Sequence, residues 1–312
     1  MQHQFSDGSQ EGSNREHEVK SSERNKAIFE LVSNDLDFLF PLLRKFPKCY
    51  WIWNYRLWLL EESSKLLPTI DARRFWQQEL GLASKMLSMD SRNFLGWGYR
   101  RTVVAALESN LLNAGGTTRS MTEEEFTYTT KMIESNLSNF SAWHNRSKLI
   151  PRLLDERKAD ETARRNFLDK GTLLCWHQIL HDTNPSLELE LIQRGLWTDS
   201  NDQSLWFYHQ YLMCTFDPEC ASKSMAPFLT TDEKLTYVTK ELANLLDMLD
   251  GAEDCNWIYK ALIQLCTCHR ALNNAWPVRE GQIQDWIAQV RMLDPLRKGR
   301  WNDLEQSLQL SN

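Results

Sequence analysis

Little in this chain interrupts a helix: 12 glycines and 9 prolines in 312 residues suit a mostly helical protein rather than a turn-rich one. Positive charge is short as well, and a net charge of −6 leaves no basic surplus for a general nucleic-acid footprint. No apolar run approaches the roughly 18–20 residues needed to span a bilayer, so no membrane span is expected. The cysteines are seven (Cys49, Cys175, Cys214, Cys220, Cys255, Cys266 and Cys268), an odd number without disulfide spacing. The first 26 residues hold no apolar stretch of the kind a secretory signal needs. A reduced, soluble, cytoplasmic protein is the expectation from these absences. There is also no G-x-x-x-x-G-K-[ST] phosphate loop, nucleophile elbow or H-E-x-x-H zinc motif.

What the chain has in excess is tryptophan, 13 in all. Six of them sit in a recurring phrase. Pro47-Lys48-Cys49-Tyr50-Trp51-Ile52-Trp53-Asn54-Tyr55-Arg56 is its first copy, and Asn93-Phe94-Leu95-Gly96-Trp97-Gly98-Tyr99-Arg100 its second. Asn139–Arg146, Asp202–His209 and a looser Asp254–Lys260 follow, with Arg300-Trp301 as a shortened sixth. The anchors Trp53, Trp97, Trp143, Trp206, Trp257 and Trp301 lie 44, 46, 63, 51 and 44 residues apart. A period of roughly 35–50 residues is the mark of a helical repeat array. The expected fold is therefore all-α, a right-handed α-solenoid of TPR-like helical hairpins.

The hairpins are expected at about 34–66, 71–110, 122–154, 187–215, 232–272 and 283–310, within a repeat domain covering 27–312. Residues 1–26 are rich in Ser, Glu, Gln, Gly and Asn, carry little apolar surface, and are expected to be disordered. Residues 170–186, KGTLLCWHQILHDTNPS, match nothing in the repeat and explain the long interval before Trp206; they read as an insertion. His177 and His181 within it stand four residues apart, a spacing that can bind metal, although a surface segment without metal is the simpler reading.

Helix geometry explains the phrase. Trp at i and Arg at i+3 share a face with apolar residues at i+4 and i+7, as in Trp53, Arg56, Leu57 and Leu60. The aromatic at i+2 (Tyr55, Tyr99, Tyr208, Tyr259) points nearly the opposite way, so the second helix of each hairpin is expected to be buried on both sides. A partly buried arginine beside tryptophan can stack on the ring and reach backbone carbonyls. Trp53, Arg56, Trp97, Arg100, Trp143, Arg146, Trp206, His209 and Trp257 are accordingly read as packing residues. Cys266, Cys268 and His269 form the one Cys/His cluster; on a helix the two thiols diverge, and no metal site is expected in this chain.

The phrase and its spacing resemble the protein prenyltransferase alpha-subunit family, over about Asn34–Asp217 strongly and Leu235–Leu304 weakly. Within the family, Asn136–Leu149 and Thr198–His209 are most similar to the alpha subunits of Rab geranylgeranyltransferase (type II). The resemblance implies a crescent of hairpins around a separate beta subunit that holds zinc, the isoprenoid and the peptide. It implies transfer of geranylgeranyl from its diphosphate to C-terminal cysteines of Rab GTPases presented by an escort protein. By resemblance, Lys48 reaches toward the diphosphate leaving group, with Tyr50 beside it and Arg92 in the next turn. A solvated turn lysine and an interface arginine are the plainer readings of Lys48 and Arg92. Leu95 stands where family members often carry histidine. The family's usual first hairpin has no counterpart before residue 34, which would leave an apolar end face unless something caps it. Two other readings stand beside this one: the alpha subunit shared by farnesyltransferase and geranylgeranyltransferase type I, and a non-catalytic helical scaffold.

Overall fold

The computed structural model describes residues 8–112, 119–169, 188–223 and 225–308, and among them there are helices and turns but no strand. They fall into two compact units, one up to Glu123 and one from Glu124 onward. In the first, α1 (Gly8–Lys45) pairs with α2 (Tyr50–Leu66), and α3 (Thr69–Met89) with α4 (Phe94–Glu108). Helix α2 also packs on α3 and α4, so the two hairpins share one core. Leu43, Leu60, Phe75, Ala83 and Val103 are its buried centre.

The second unit contains α5 (Thr122–Ser135), α6 (Phe140–Glu156), α7 (Glu161–Asp169), α8 (Glu188–Thr198) and α9 (Gln203–Met213). It continues through α10 (Thr231–Leu249), α11 (Asn256–Asn273), α12 (Glu280–Leu293) and α13 (Lys298–Leu308). Neighbouring hairpins stack through their second helices, α6 on α9 and α9 on α11. Helix α10 starts at a full capping box: Thr230 accepts from the Glu233 amide while the Glu233 carboxylate accepts from the Thr230 amide.

Two local expectations need correction. Residues 8–26 belong to α1 rather than to a disordered tail; residues 1–7 lie outside the described residues. No proline interrupts the chain before Pro41, and once the core fixes the downstream part of α1, each added residue costs only helix propagation, not nucleation. The composition argument judged burial correctly, since 19–24 are exposed, but exposure does not forbid a helix. The second correction is α7, a helix lying between the expected hairpins at 122–154 and 187–215. Its nine residues bury only Phe167 and Leu168 fully, and it is held from outside itself. Arg165 pairs with Glu233 at 2.9 Å and lies over the Phe228 ring, and Arg164 donates to the Met225 carbonyl. The segment 170–186, with His177 and His181, lies outside the described residues.

Candidate functional site

Four of the hairpin turns are fastened by their own tryptophan. The indole N–H donates to the carbonyl six residues back: Trp53 to Pro47, Trp97 to Ser91, Trp143 to Leu137 and Trp206 to Ser200, at 2.7–2.9 Å. The residue opening the second helix caps it. Asn93 accepts from the Leu95 and Gly96 amides, Asn139 from Ala142, and Asp202 from Ser204. Adjacent turns are also tied together. The Asn93 amide donates to the Pro47 carbonyl at 2.9 Å, and Cys255 makes the equivalent contact with Ser200 at 3.0 Å. Pro47 therefore accepts two buried-edge donors, which fixes the backbone on which Lys48 sits.

Lys48, Tyr50 and Arg92 all lie on this turn edge, in the first unit. Lys48 is 70% exposed and pairs with Asp90 of the next turn at 3.5 Å. Tyr50 opens α2, exposed, with its ring against Trp51 at 4.6 Å. Arg92 is exposed in the second turn, followed by exposed Phe94. The edge thus presents ammonium and guanidinium groups among aromatic rings, open to solvent rather than sunk in a pocket. Leu95 packs against the core of the first unit, so it supplies no polar group there. Asp90 is the member of this edge that the sequence reading missed; a carboxylate two residues before Arg92 in a polar turn carries no distinguishing signal.

The packing residues hold a more ordered arrangement than stacked rings and carbonyls. Trp53, Trp97, Trp143 and Trp206 are buried, and Trp257 is half-buried. Arg56 does reach the Leu36 carbonyl, but its main partner is buried Glu79, gripped by two N–H donors at 2.5 and 2.9 Å. Arg146 grips buried Glu188 in the same way at 2.6 and 3.0 Å and lies over the Phe126 ring. A tyrosine completes each pair: Tyr99 donates to Glu79 at 2.6 Å, and Tyr208 to Glu188. These rings pack on the tryptophan of the preceding phrase, Tyr99 on Trp53 and Tyr208 on Trp143.

The position three residues after the tryptophan stays basic further on, with weaker partners. His209 Nε2 lies 2.9 Å from Glu241, and Lys260 pairs with Asp294 at 3.0 Å beneath the Trp257 and Trp301 rings. Arg100 donates to Ser84 at 2.7 Å. The glutamates were the missed residues. A signal existed: Glu79 and Glu188 each stand 20 residues before the tyrosine they accept from.

The tyrosine expectation holds for three of four positions. Tyr99, Tyr208 and Tyr259 are buried, but Tyr55 is 40% exposed and donates to Asp35 at 2.9 Å. Burial pushes the Tyr99 and Tyr208 hydroxyls well above the usual phenol range, and the neighbouring glutamates push them further.

Cys266 and Cys268 are buried in α11, and His269 Nδ1 lies 3.0 Å from the Ala275 carbonyl. Among the described residues no three His, Cys, Asp or Glu side chains gather as a metal site would require. Burial pushes both thiols up to about 12, leaving roughly one thiolate in 10⁴ at pH 8. Both are therefore expected to stay unlabelled by iodoacetamide at pH 8 in the folded chain and to label fully in urea, as read by peptide mass spectrometry. Native labelling at free-thiol rates would show that α11 opens.

Four stretches of this repeat, residues 32–63, 76–107, 122–153 and 185–216, match the family model described as "Protein prenyltransferase alpha subunit repeat". A curated relative from Candida albicans, geranylgeranyl transferase type-2 subunit alpha, is 34% identical over 291 residues, covering 91% of this chain and 76% of the relative. The chain belongs to the protein prenyltransferase alpha-subunit family. Relatives of the same name occur in Saccharomyces cerevisiae (31% identical, 86% of this chain and 71% of that one) and in Bos taurus (36% identical, 67% and 30%). The solved structure of Candida albicans protein geranylgeranyltransferase-I complexed with GGPP matches 90% of this chain and 73% of its own with a TM-score of 0.53. At 16% identity that likeness is one of fold.

Proposed function

We propose that this chain is the alpha subunit of a heterodimeric, cytoplasmic type-2 protein geranylgeranyltransferase, active only when paired with its beta subunit. The observation that carries the reading is the similarity to type-2 alpha subunits along most of the chain. In this proposal the beta subunit holds zinc, geranylgeranyl diphosphate and the acceptor peptide, and the zinc supplies the cysteine as thiolate. The acceptor sulfur forms a bond to the first isoprenoid carbon as the bond from that carbon to the diphosphate oxygen breaks. Negative charge grows on the departing diphosphate, where a preplaced cation is worth most. Lys48 is this chain's contribution: a turn ammonium on a backbone pinned by Trp53 and Asn93, with Tyr50 beside it as a hydroxyl donor. Arg92 adds positive charge one turn further on. The acceptors are Rab GTPases brought by an escort protein.

Assembly tests this directly. Co-expression with a type-2 beta subunit is expected to give a 1:1 complex in size-exclusion chromatography. Pairing instead with a farnesyltransferase or type-1 beta subunit, in preference to the type-2 one, would move the assignment to the shared alpha subunit. Failure to pair with any of them would leave the scaffold reading.

A further inference from the structure

Lys48 and Asp90 hang from one buried residue. The Asn93 side-chain amide donates to the Pro47 carbonyl at 2.9 Å, and the Asn93 backbone amide donates to the Asp90 carbonyl at 3.1 Å. Asn93 itself is 1% exposed. Asp90 closes α3, its own amide bonded to the Met86 carbonyl at 3.0 Å. The two turn backbones are thereby set in register, and the Lys48 ammonium meets the Asp90 carboxylate at 3.5 Å. The carboxylate is the less exposed partner, 33% against 70%, so on its short stem it is the anchor, and the long lysine is the arm that moves.

The pairing is particular to this junction. The place five residues before each phrase tryptophan holds Lys48 and then Arg92, but Ser138, Asn201, Ala252 and Leu296 further on. Only the first two of these turns carry a cation there, and among the described residues Arg92 makes no ion pair. One carboxylate against two cations leaves the edge with a net positive charge, open to an anion of several charges. A diphosphate that takes the Lys48 ammonium must draw it off Asp90, so the carboxylate's hold on the ammonium is subtracted from the anion's.

Given the leaving-group role proposed above for Lys48, we propose that Asp90 is a positioning residue for the transfer. It parks the ammonium over the turn while the site is empty and yields it to the diphosphate of the prenyl donor. Once the carbon–oxygen bond has broken, it reclaims the ammonium, and free diphosphate is held more loosely. Lys48 exchanges one anion for another at each turnover, and Asp90 sets the balance between them.

The test uses the alpha–beta complex at low ionic strength, with inorganic diphosphate as inhibitor of geranylgeranyl transfer. Asp90→Asn is expected to lower both the inhibition constant of diphosphate and the KM for the prenyl donor by about 3- to 5-fold, the upper range for an exposed ion pair. Asp90→Glu, which keeps the charge, should stay within about twofold of the unaltered complex. In a Lys48→Ala complex the Asp90→Asn effect should vanish, because the carboxylate acts through the ammonium. An equal effect in that complex, or none in the unaltered one, overturns the inference. If Asp90→Asn changes nothing while Lys48→Ala raises the inhibition constant, the role of Lys48 stands and Asp90 is only its solvated surface partner. If Lys48→Ala changes neither constant, that role falls and this inference with it. A chain that forms no complex overturns the function proposed above, and this inference falls with that too.

Discussion

Replacing Glu188 with alanine is expected to destabilise the second unit by about 3–5 kcal/mol, because it leaves Arg146 buried without its counter-ion. Burial opposes the charge on Arg146, and Glu188 with its hydrogen bonds more than offsets this, holding the arginine above its usual pKa. The same change strips the Tyr208 hydroxyl of its acceptor. Urea unfolding followed by circular dichroism reads the effect. The double variant Arg146→Met/Glu188→Met should recover much of the loss, since two apolar side chains of similar volume need no partner. Tyr208→Phe, which removes one hydroxyl and leaves the ion pair, should cost only about 1 kcal/mol. A Glu188→Ala loss below about 1 kcal/mol would mean that water reaches Arg146 and that this junction is not closed.

Replacing Lys48 with alanine is expected to lower transfer by about 10- to 100-fold in kcat while leaving assembly with the beta subunit intact, the pattern of a group whose charge matters mainly in the transition state. The fold gives reason to expect that separation. Lys48 is 70% exposed, and its one pair, with Asp90 at 3.5 Å, is of the solvated kind that contributes little to stability. The turn itself rests on Pro47, Trp53 and Asn93, none of which the variant alters. Asp90→Asn is a useful companion, since it frees the ammonium from its neutralising partner without moving the backbone. Equal loss of assembly and turnover in Lys48→Ala would reassign the residue to the interface.

The fold class was legible because its signal is repeated. A tryptophan with a basic residue three positions on recurs five times along the chain, and the recurrence survives the replacement of arginine by His209 and Lys260. The face assignment for Tyr99 and Tyr208 followed from helical angles alone. What went unread were partners whose identity depends on which helices become neighbours. Glu79 and Glu188 sit on first helices, and only the stacking of hairpins brings them to Arg56 and Arg146. Tyr55 failed for the complementary reason: its sequence is that of a junction tyrosine, but it stays 40% exposed, its ring stacked on Trp58 of its own helix. Helix α7 was missed because Arg164 and Arg165 fix it through contacts in other segments. At the candidate site, the sequence and the family resemblance supplied Lys48, Tyr50 and Arg92, and the structure adds the pinned Pro47 backbone and Asp90.

In the proposed function this chain completes a geranylgeranyl-transferring enzyme. The most direct measurement is transfer of radiolabelled geranylgeranyl from its diphosphate to a Rab GTPase with escort protein, using the co-purified alpha–beta complex beside each subunit alone. Transfer is expected from the complex, none from either subunit alone, and loss of transfer when the escort protein is omitted. A well-formed complex that binds geranylgeranyl diphosphate yet leaves the Rab unmodified would contradict it.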